Sequence, residues 1–235
     1  PMPQGDATPL DRPDLARLER EDPPLAWVQG QRRSARAFDD DRPVTLRQLG
    51  EFLFRVNRVT ERREAEIQTN RGPVVMEFAP RPFPAGGCLY EMEVYAAVAR
   101  CDGLAAGLYY HDPAGHRLVR VSDRTPAVAE LVRDAGDSTT VPEGEIQVVL
   151  VLAARVPRLA WKYESIAYAL VLKHVGVMYQ TMYLAATAMG LAGCGIGGGN
   201  ADLFARAAGT EYGAETSVGE FLLGRRRDGP AGAAK

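Results

Sequence analysis

The chain has 235 residues, of which 46% are hydrophobic and 25% are charged, and its formal net charge is −2. These values are typical of a globular protein with a sizeable core, and they argue against a largely disordered chain or a broadly basic nucleic-acid binder. Three cysteines without a C-x-x-C pair argue against a disulfide framework and against a zinc site.

The N-terminal residues 1–30 are polar and proline-rich, and they lack the apolar run of a secretory signal. We interpret them as a leader segment with one short helix at residues 15–20. The longest apolar stretch, residues 165–195, is interrupted by Lys173, His174 and Gln180, which is unfavourable for a membrane span. We therefore expect a cytoplasmic protein, and the start at Pro1 suits an excised domain or a processed chain.

The next elements are one helix between two charged stretches. Residues 31–43 predict a charged turn. Thr45 is a plausible N-cap for a helix that ends near Asn57, because apolar residues recur on one face of this segment. Residues 58–73 are highly charged and have almost no apolar face, which predicts a mobile loop or an exposed helix.

The middle of the chain is predicted to form most of the strands of a β-sheet. A loop dense in proline and glycine at residues 79–90 leads into a turn at residues 89–91. Strands are predicted at residues 93–100, 104–111, 117–121 and 146–154, with a helix at 125–135 and a loop at 136–145. The run at 146–154 is continuously apolar, which is typical of a central strand buried on both faces. Glu91 and Glu93 are predicted to face the same side of the first strand.

The last third begins with a helix at residues 164–190 that is apolar on almost every side and should pack against more than one neighbour. A glycine-rich loop or strand at 191–199, a helix at 202–208 and a strand at 218–224 follow. Regular crossover helices do not separate the strands, so the fold class is α+β with a mainly antiparallel sheet. We predict a leader at 1–30, one domain at 31–227 and a disordered tail at 228–235.

Two early segments carry candidate chemistry. Arg32, Arg33, Ser34 and Arg36 can grip a phosphate through charge-assisted hydrogen bonds. The alternative is a solvated turn that pairs with Asp39, Asp40 and Asp41. The stretch from residue 82 to residue 87 can bring bare backbone groups against a flat ring, or it can be a plain connecting loop.

Two later segments also carry candidate chemistry. The glycine run at residues 195–199 can cover one face of a planar cofactor, with close packing as the alternative. It follows a helix instead of a strand, so it lacks the context of a dinucleotide-binding fingerprint. Lys162 and Tyr163 stand at the junction before the long helix, where desolvation would lower the pKa of the lysine and make it a usable base. The alternative is a snorkelling lysine beside a boundary tyrosine.

Taken together, these motifs resemble the nitroreductase-like flavoprotein family, and more narrowly its azoline oxidase branch. The R-R-S-x-R-x-F opening is similar to the family's phosphate grip, and P-A-G-G-C-L-Y-E-M-E at residues 84–93 is similar to its P-S-G-G-x-L-Y-P-x-E loop. The helix end at 183–191, the glycine run at 190–199 and F-L-L-G-R at 221–225 also match. The Lys162-Tyr163 pair resembles azoline oxidases in particular. Ala85 and Glu91 depart from the usual serine and proline.

The resemblance implies FMN bound at the interface of a homodimer. It assigns the cofactor contacts to Arg32, Arg33, Ser34, Arg36, Pro84, Ala85, Gly86, Gly87, Leu89, Gly195, Ile196, Gly197, Gly198 and Arg225. The segment from Pro84 to Gly87 would pass one side of the flavin ring and the segment from Gly195 to Gly198 the other. Arg226 is an alternative to Arg225.

The implied reaction converts a thiazoline or oxazoline in a peptide into a thiazole or oxazole. Lys162 is the candidate base, Tyr163 would orient the ring or relay the proton, and molecular oxygen is the electron acceptor. The peptide would be made ribosomally or on a nonribosomal peptide synthetase. The alternatives are an NAD(P)H-dependent nitro or quinone reductase and a non-catalytic scaffold subunit of a cyclodehydratase.

Overall fold

A computed structural model describes residues 3–69 and 72–227. Its helices are α1 (Leu15–Glu21), α2 (Leu25–Gln31), α3 (Leu46–Asn57), α4 (Pro126–Thr139), α5 (Val156–Tyr163), α6 (Ala167–Ala188) and α7 (Ala201–Ala208). Its strands are β1 (Ala7–Pro9), β2 (Arg63–Thr69), β3 (Gly72–Phe78), β4 (Met92–Val98), β5 (Gly107–Asp112), β6 (Arg117–Asp123), β7 (Val148–Ala154), β8 (Leu191–Ile196) and β9 (Thr216–Arg225). In the part of the chain that the structure describes, no helix has the length and apolar character needed to cross a membrane.

Seven strands form one sheet in the order β1-β6-β5-β4-β7-β9-β8, and every neighbouring pair is antiparallel. Strand β7 lies between β4 and β9, and all seven of its residues are buried. The continuous apolar run therefore correctly predicted a strand buried on both faces, and the α+β class is confirmed.

The sheet separates two hydrophobic cores. On one face, residues of α3 and α6 pack against alternate residues of β4 and β7. On the other face, the complementary residues of those strands pack against α4 and α7. Helix α3 begins as predicted. The Thr45 hydroxyl accepts the backbone N–H of Gln48, and the Gln48 side-chain oxygen accepts the backbone N–H of Thr45.

The N-terminal segment is more structured than the sequence indicated. Strand β1 pairs with β6 at one edge of the sheet, and α2 follows the predicted short helix. A three-residue strand has no periodicity of its own, so its pairing depends on a partner more than 100 residues away. The predicted disordered tail at 228–235 lies outside the described residues.

The prediction of a loop or exposed helix at residues 58–73 was wrong, because β2 and β3 form an antiparallel hairpin. Ile67 pairs with Val74 and Ala65 with Met76, so these four apolar residues share one face. The glutamates alternate with them on the other face, and their number hid a two-residue period in the sequence.

The helix predicted at residues 164–190 forms as α6, but a further helix that the sequence did not predict, α5, precedes it. Glu164 has a φ of 45° and separates α5 from a single 3₁₀ turn that leads into α6. Lys162 and Tyr163 therefore close α5 and do not open α6. Tyr168 and Leu172 on α6 are 68% and 47% exposed, so the single chain leaves part of this apolar helix uncovered.

Candidate functional site

Residues 32–36, here called the arginine segment, follow α2 and lie against the edge strand β8. The Ala35 N–H donates to the Gly193 carbonyl at 2.9 Å. Tyr183 of α6 accepts the Gly195 N–H at 2.8 Å, and its hydroxyl lies 2.9 Å from Ser34 Oγ. The structure thus brings together the first motif and the glycine run, with a tyrosine between them.

The acidic residues next to this segment pair with other arginines. Asp39 forms an ion pair with Arg42, and Asp40 forms one with Arg227, each at 2.7 Å. Among the described residues, Arg32, Arg33 and Arg36 form no ion pair, although Arg32 lies over the Tyr183 ring. The alternative of a self-neutralised basic turn therefore does not hold for these three cations.

The C-terminal arginines lie beside the same segment. Asp39 donates its N–H to the Arg225 carbonyl, and Arg225 Nε is 4.0 Å from the Asp39 carboxylate. Arg226 forms an isolated bridge with Phe38, and Arg227 Nε donates to the Phe38 carbonyl. Arg225 thus lies beside Asp39, three residues after the end of the arginine segment.

Strand β8 with Gly197, Gly198 and Gly199, here called the glycine strand, packs closely on its neighbours. A Cβ atom placed on Gly193 would lie 2.6 Å from the Phe221 ring. The carboxylate of Glu220 lies beside Gly199 and accepts the Ser217 hydroxyl at 2.8 Å. Glu220 is buried, and this burial raises the pKa of its carboxyl to about 7.

Residues 84–88, here called the glycine loop, form a tight turn. The Cys88 N–H donates to the Ala85 carbonyl and the Leu89 N–H to the Gly86 carbonyl. Gly87 and Cys88 both have a φ of 59°, and Tyr90 has a φ of 47°. Left-handed backbone is unfavourable for residues other than glycine, so this loop is held in place by its surroundings.

The Lys162-Tyr163 pair provides part of those surroundings. A Cβ atom placed on Gly87 would lie 2.9 Å from Lys162 Nζ and 3.0 Å from Tyr163 Oη. The structure therefore joins two motifs that are more than 70 residues apart in the sequence. Lys162 is exposed in the single chain, so the desolvation expected from the sequence is not present there.

A buried polar pair behind the loop was not recognised as a site element in the sequence. His174 Nδ1 lies 2.6 Å from Glu91 Oε1, and the Gly86 N–H donates to His174 Nε2 at 2.9 Å. Glu93 was predicted on the same side as Glu91, which is wrong: it contacts Arg155 and Tyr110 on the opposite face of the sheet. Two signals were available in the sequence: Glu91 stands where the resembling motif has a proline, and His174 interrupts an apolar helix.

A cleft of about 690 Å³ opens beside Lys162. Its walls are the apolar face of the β2–β3 hairpin and the end of α5, with the following residues among those lining it: Ile67, Val74, Met76, Leu89, Trp161 and Lys162. A space of this size is larger than one five-membered ring. Sequence reasoning missed this wall because it missed the hairpin.

The two groups of motifs lie on opposite flanks of α6. His174 contacts the glycine loop and Tyr183 contacts the glycine strand. Nine helical residues correspond to two and a half turns, so these side chains point in opposite directions and are about 14 Å apart along the axis. Within one chain, the glycine loop and the glycine strand do not face each other across one ring.

Comparisons with known proteins identify the family and the fold. The model of the Nitroreductase family matches residues 30–225. The protein MJ1384 of Methanocaldococcus jannaschii, which carries a nitroreductase name, is 29% identical over 193 residues, covering 82% of this chain and 85% of that protein.

Two solved structures share the fold. A chain of the Escherichia coli microcin synthetase McbBCD complex, with truncated pro-MccB17 bound, is 20% identical with a TM-score of 0.65, covering 94% of this chain and 85% of that chain. A nitroreductase-type structure from Exiguobacterium sibiricum in complex with FMN is 12% identical with a TM-score of 0.58, covering 91% and 93%.

Proposed function

The chain belongs to the nitroreductase family, and from this premise we propose that it is an FMN-dependent oxidase of azoline rings in peptides. The observation that carries the proposal is the contact between the glycine loop and the Lys162-Tyr163 pair, with a cleft beside the lysine. A reductase of the same fold needs no such pair. The family membership supports the coarser statement that the protein is an oxidoreductase.

The arginine segment fits the phosphate of FMN. Arg32, Arg33 and Arg36 form no ion pair within the described ranges, and Ser34 adds a hydroxyl. Guanidinium groups bind phosphate through short charge-assisted bonds. Arg225 is a further candidate, because it lies beside Asp39 at the end of the segment. A solved structure of the same fold that contains FMN supports FMN as the cofactor.

A homodimer would complete the site. The two groups of motifs lie on opposite flanks of α6, so one chain supplies each flavin with only part of its surroundings. Tyr168, Leu172 and Gly176 are exposed at four-residue intervals on α6, which makes an apolar stripe for a second copy. We propose that the glycine loop of one protomer meets the glycine strand of its partner.

The proposed reaction removes two electrons and two protons from the azoline ring. Bound FMN would supply the hydride acceptor, and molecular oxygen would be the final acceptor of the two electrons and two protons, giving hydrogen peroxide. Lys162 Nζ takes the ring proton, because it is the exposed amine at the cleft wall. Tyr163 holds the ring or relays that proton, since its hydroxyl lies beside the same glycine as the amine.

The cleft supports a peptide substrate. Its apolar hairpin wall can accept residues that flank the ring, since the cavity of about 690 Å³ exceeds the ring itself. The relative in the microcin synthetase complex was solved with a pro-peptide bound, which fits this class. The peptide is either ribosomal or carried on a nonribosomal peptide synthetase, and the assay therefore includes both forms.

The first experiment is the visible spectrum of the purified protein, with identification of any released chromophore. We expect FMN at about one per chain, followed by conversion of a thiazoline peptide with uptake of oxygen and no need for nicotinamide. Rapid bleaching by NADH or NADPH without thiazoline turnover would favour a nitro or quinone reductase. A colourless protein that binds no added FMN would leave only a scaffold function.

A further inference from the structure

Glu91 and His174 form a polar pair inside an otherwise apolar part of the molecule. Glu91 is fully buried, and His174 is 6% exposed. Within residues 3–69 and 72–227, the second carboxylate oxygen of Glu91 has no hydrogen-bond partner. Burial of a carboxylate is costly, and an oxygen left without a hydrogen-bond partner adds to that cost. The pair therefore calls for a role beyond packing.

The hydrogen bonds of the imidazole determine where its proton lies. His174 Nε2 accepts the Gly86 N–H, so this nitrogen carries no hydrogen. The ring hydrogen is therefore on Nδ1, which lies 2.6 Å from Glu91 Oε1 and donates to it. A carboxylate that holds one nitrogen in this way fixes both the tautomer and the ring orientation.

The backbone on the other side of this contact is strained. Gly87, Cys88 and Tyr90 all have left-handed φ values, and two of them are not glycine. Gly86 directly precedes this stretch. Its N–H bond to His174 therefore anchors the strained backbone to helix α6. The same loop places Gly87 against Lys162 Nζ and Tyr163 Oη.

We propose that Glu91 and His174 are positioning residues: Glu91 fixes the tautomer of His174, and His174 holds the Gly86 N–H so that the glycine loop keeps its place against Lys162 and Tyr163. This inference rests on the proposed function for its effect on turnover. Its structural part, the anchoring of the loop, does not depend on any cofactor or substrate.

Two substitutions at residue 174 separate the two bonds of the ring. In His174→Gln the amide oxygen lies near the place of Nε2 and can accept the Gly86 N–H. In His174→Asn the shorter amide can reach only Glu91. We measure exchange of the Gly86 amide hydrogen by nuclear magnetic resonance in the flavin-free protein. We expect about tenfold or faster exchange in His174→Asn and near wild-type exchange in His174→Gln.

The same logic applies to the carboxylate. Glu91→Gln keeps an oxygen that can accept the Nδ1 hydrogen, whereas Glu91→Ala removes it. We expect the ¹⁵N shifts of the His174 ring to show the Nδ1–H tautomer in wild type and in Glu91→Gln. In Glu91→Ala we expect that tautomer to be lost and the Gly86 amide to exchange as fast as in His174→Asn.

In the FMN-loaded protein, thiazoline turnover should depend on the hydrogen bond from the Gly86 N–H to residue 174. We expect kcat to fall by about tenfold to a hundredfold in His174→Asn and to stay within about threefold of wild type in His174→Gln, with little change in KM. Equal effects in both variants, or losses that only track Tm, would overturn the proposal. If the wild type binds no FMN, the proposed function fails, while the exchange experiment still decides the loop anchor.

Discussion

At Gly193 in the glycine strand, the space of a missing side chain is occupied by the Phe221 ring, whereas at Gly87 in the glycine loop it is occupied by the ends of Lys162 and Tyr163. A buried ring belongs to the scaffold, while a lysine amine and a phenol carry chemistry. The two segments are both rich in glycine, but substitution of Gly193 should change stability and substitution of Gly87 should change activity.

The buried glutamates near the two segments also differ. Glu91 contacts an imidazole that holds the glycine loop, whereas Glu220 accepts one hydroxyl and has a pKa of about 7 because it is buried beside the glycine strand. A residue of the same type therefore positions the loop in one region and carries a proton near neutral pH in the other. The following variants test how far the two regions separate.

The largest expected effect is the loss of the amine beside the glycine loop. Lys162→Ala should lower the turnover of a thiazoline peptide by about 10²- to 10⁴-fold, because a general base contributes about that much. FMN content and Tm should stay unchanged, since the side chain is exposed. Arg206→Ala, at an exposed cation on α7, is the control. Full activity in Lys162→Ala would remove the assigned base.

The second effect tests the arginine segment. The Arg33→Ala, Arg36→Ala double variant should bind FMN about a hundredfold more weakly, because two charge-assisted contacts to phosphate are lost. Riboflavin, which has no phosphate, should bind equally to wild type and variant in a fluorescence titration. Arg124→Ala, which breaks an exposed ion pair with Glu143, is the control. An equal loss of riboflavin affinity would contradict a phosphate role.

The third effect is a pH dependence at the glycine strand. The pKa of Glu220 is about 7 in the folded chain and near 4.5 in the unfolded one, so the folded state holds an extra proton between these values. Wild type should therefore lose stability relative to Glu220→Gln as pH rises from about 4.5 to 7, by up to about 3 kcal/mol. Urea unfolding at pH 5, 6, 7 and 8 measures this difference, with Glu64→Gln as control. A difference independent of pH would refute it.

The fourth effect compares alanine at the two glycines. Gly193→Ala should lower the free energy of unfolding by about 1–3 kcal/mol, because the Phe221 ring must move. Gly87→Ala should cost only about 1–2 kcal/mol, from its left-handed backbone, since the neighbouring side-chain ends can move away. Its turnover should nevertheless fall more than that of Gly193→Ala. The reverse order would remove the distinction between the two segments.

The sequence was sufficient where local chemistry decides the outcome. The apolar run of β7, the N-cap at Thr45 and the short helix after residue 200 all formed as predicted. The motifs of the candidate site were visible as residue types in order along the chain. Their roles stay predictions until the variants are measured.

The sequence was insufficient where contacts between distant residues decide. The β2–β3 hairpin hides its period behind glutamates on one face, and β1 exists only because β6 is available. The bond between Glu91 and His174 joins residues 83 positions apart, and no local pattern encodes it. The pairing of Asp39 and Asp40 with arginines outside the arginine segment likewise depends on the fold.

The hydrogen bond from the Ala35 N–H to the Gly193 carbonyl places the arginine segment along the edge of the sheet. Strand β8 is an outer strand of the sheet, and an open strand edge can pair with other chains. The arginine segment shields part of this edge. A bound anion that holds the segment in place would therefore also suppress self-association, and protein stored without its ligand should aggregate sooner than protein stored with it.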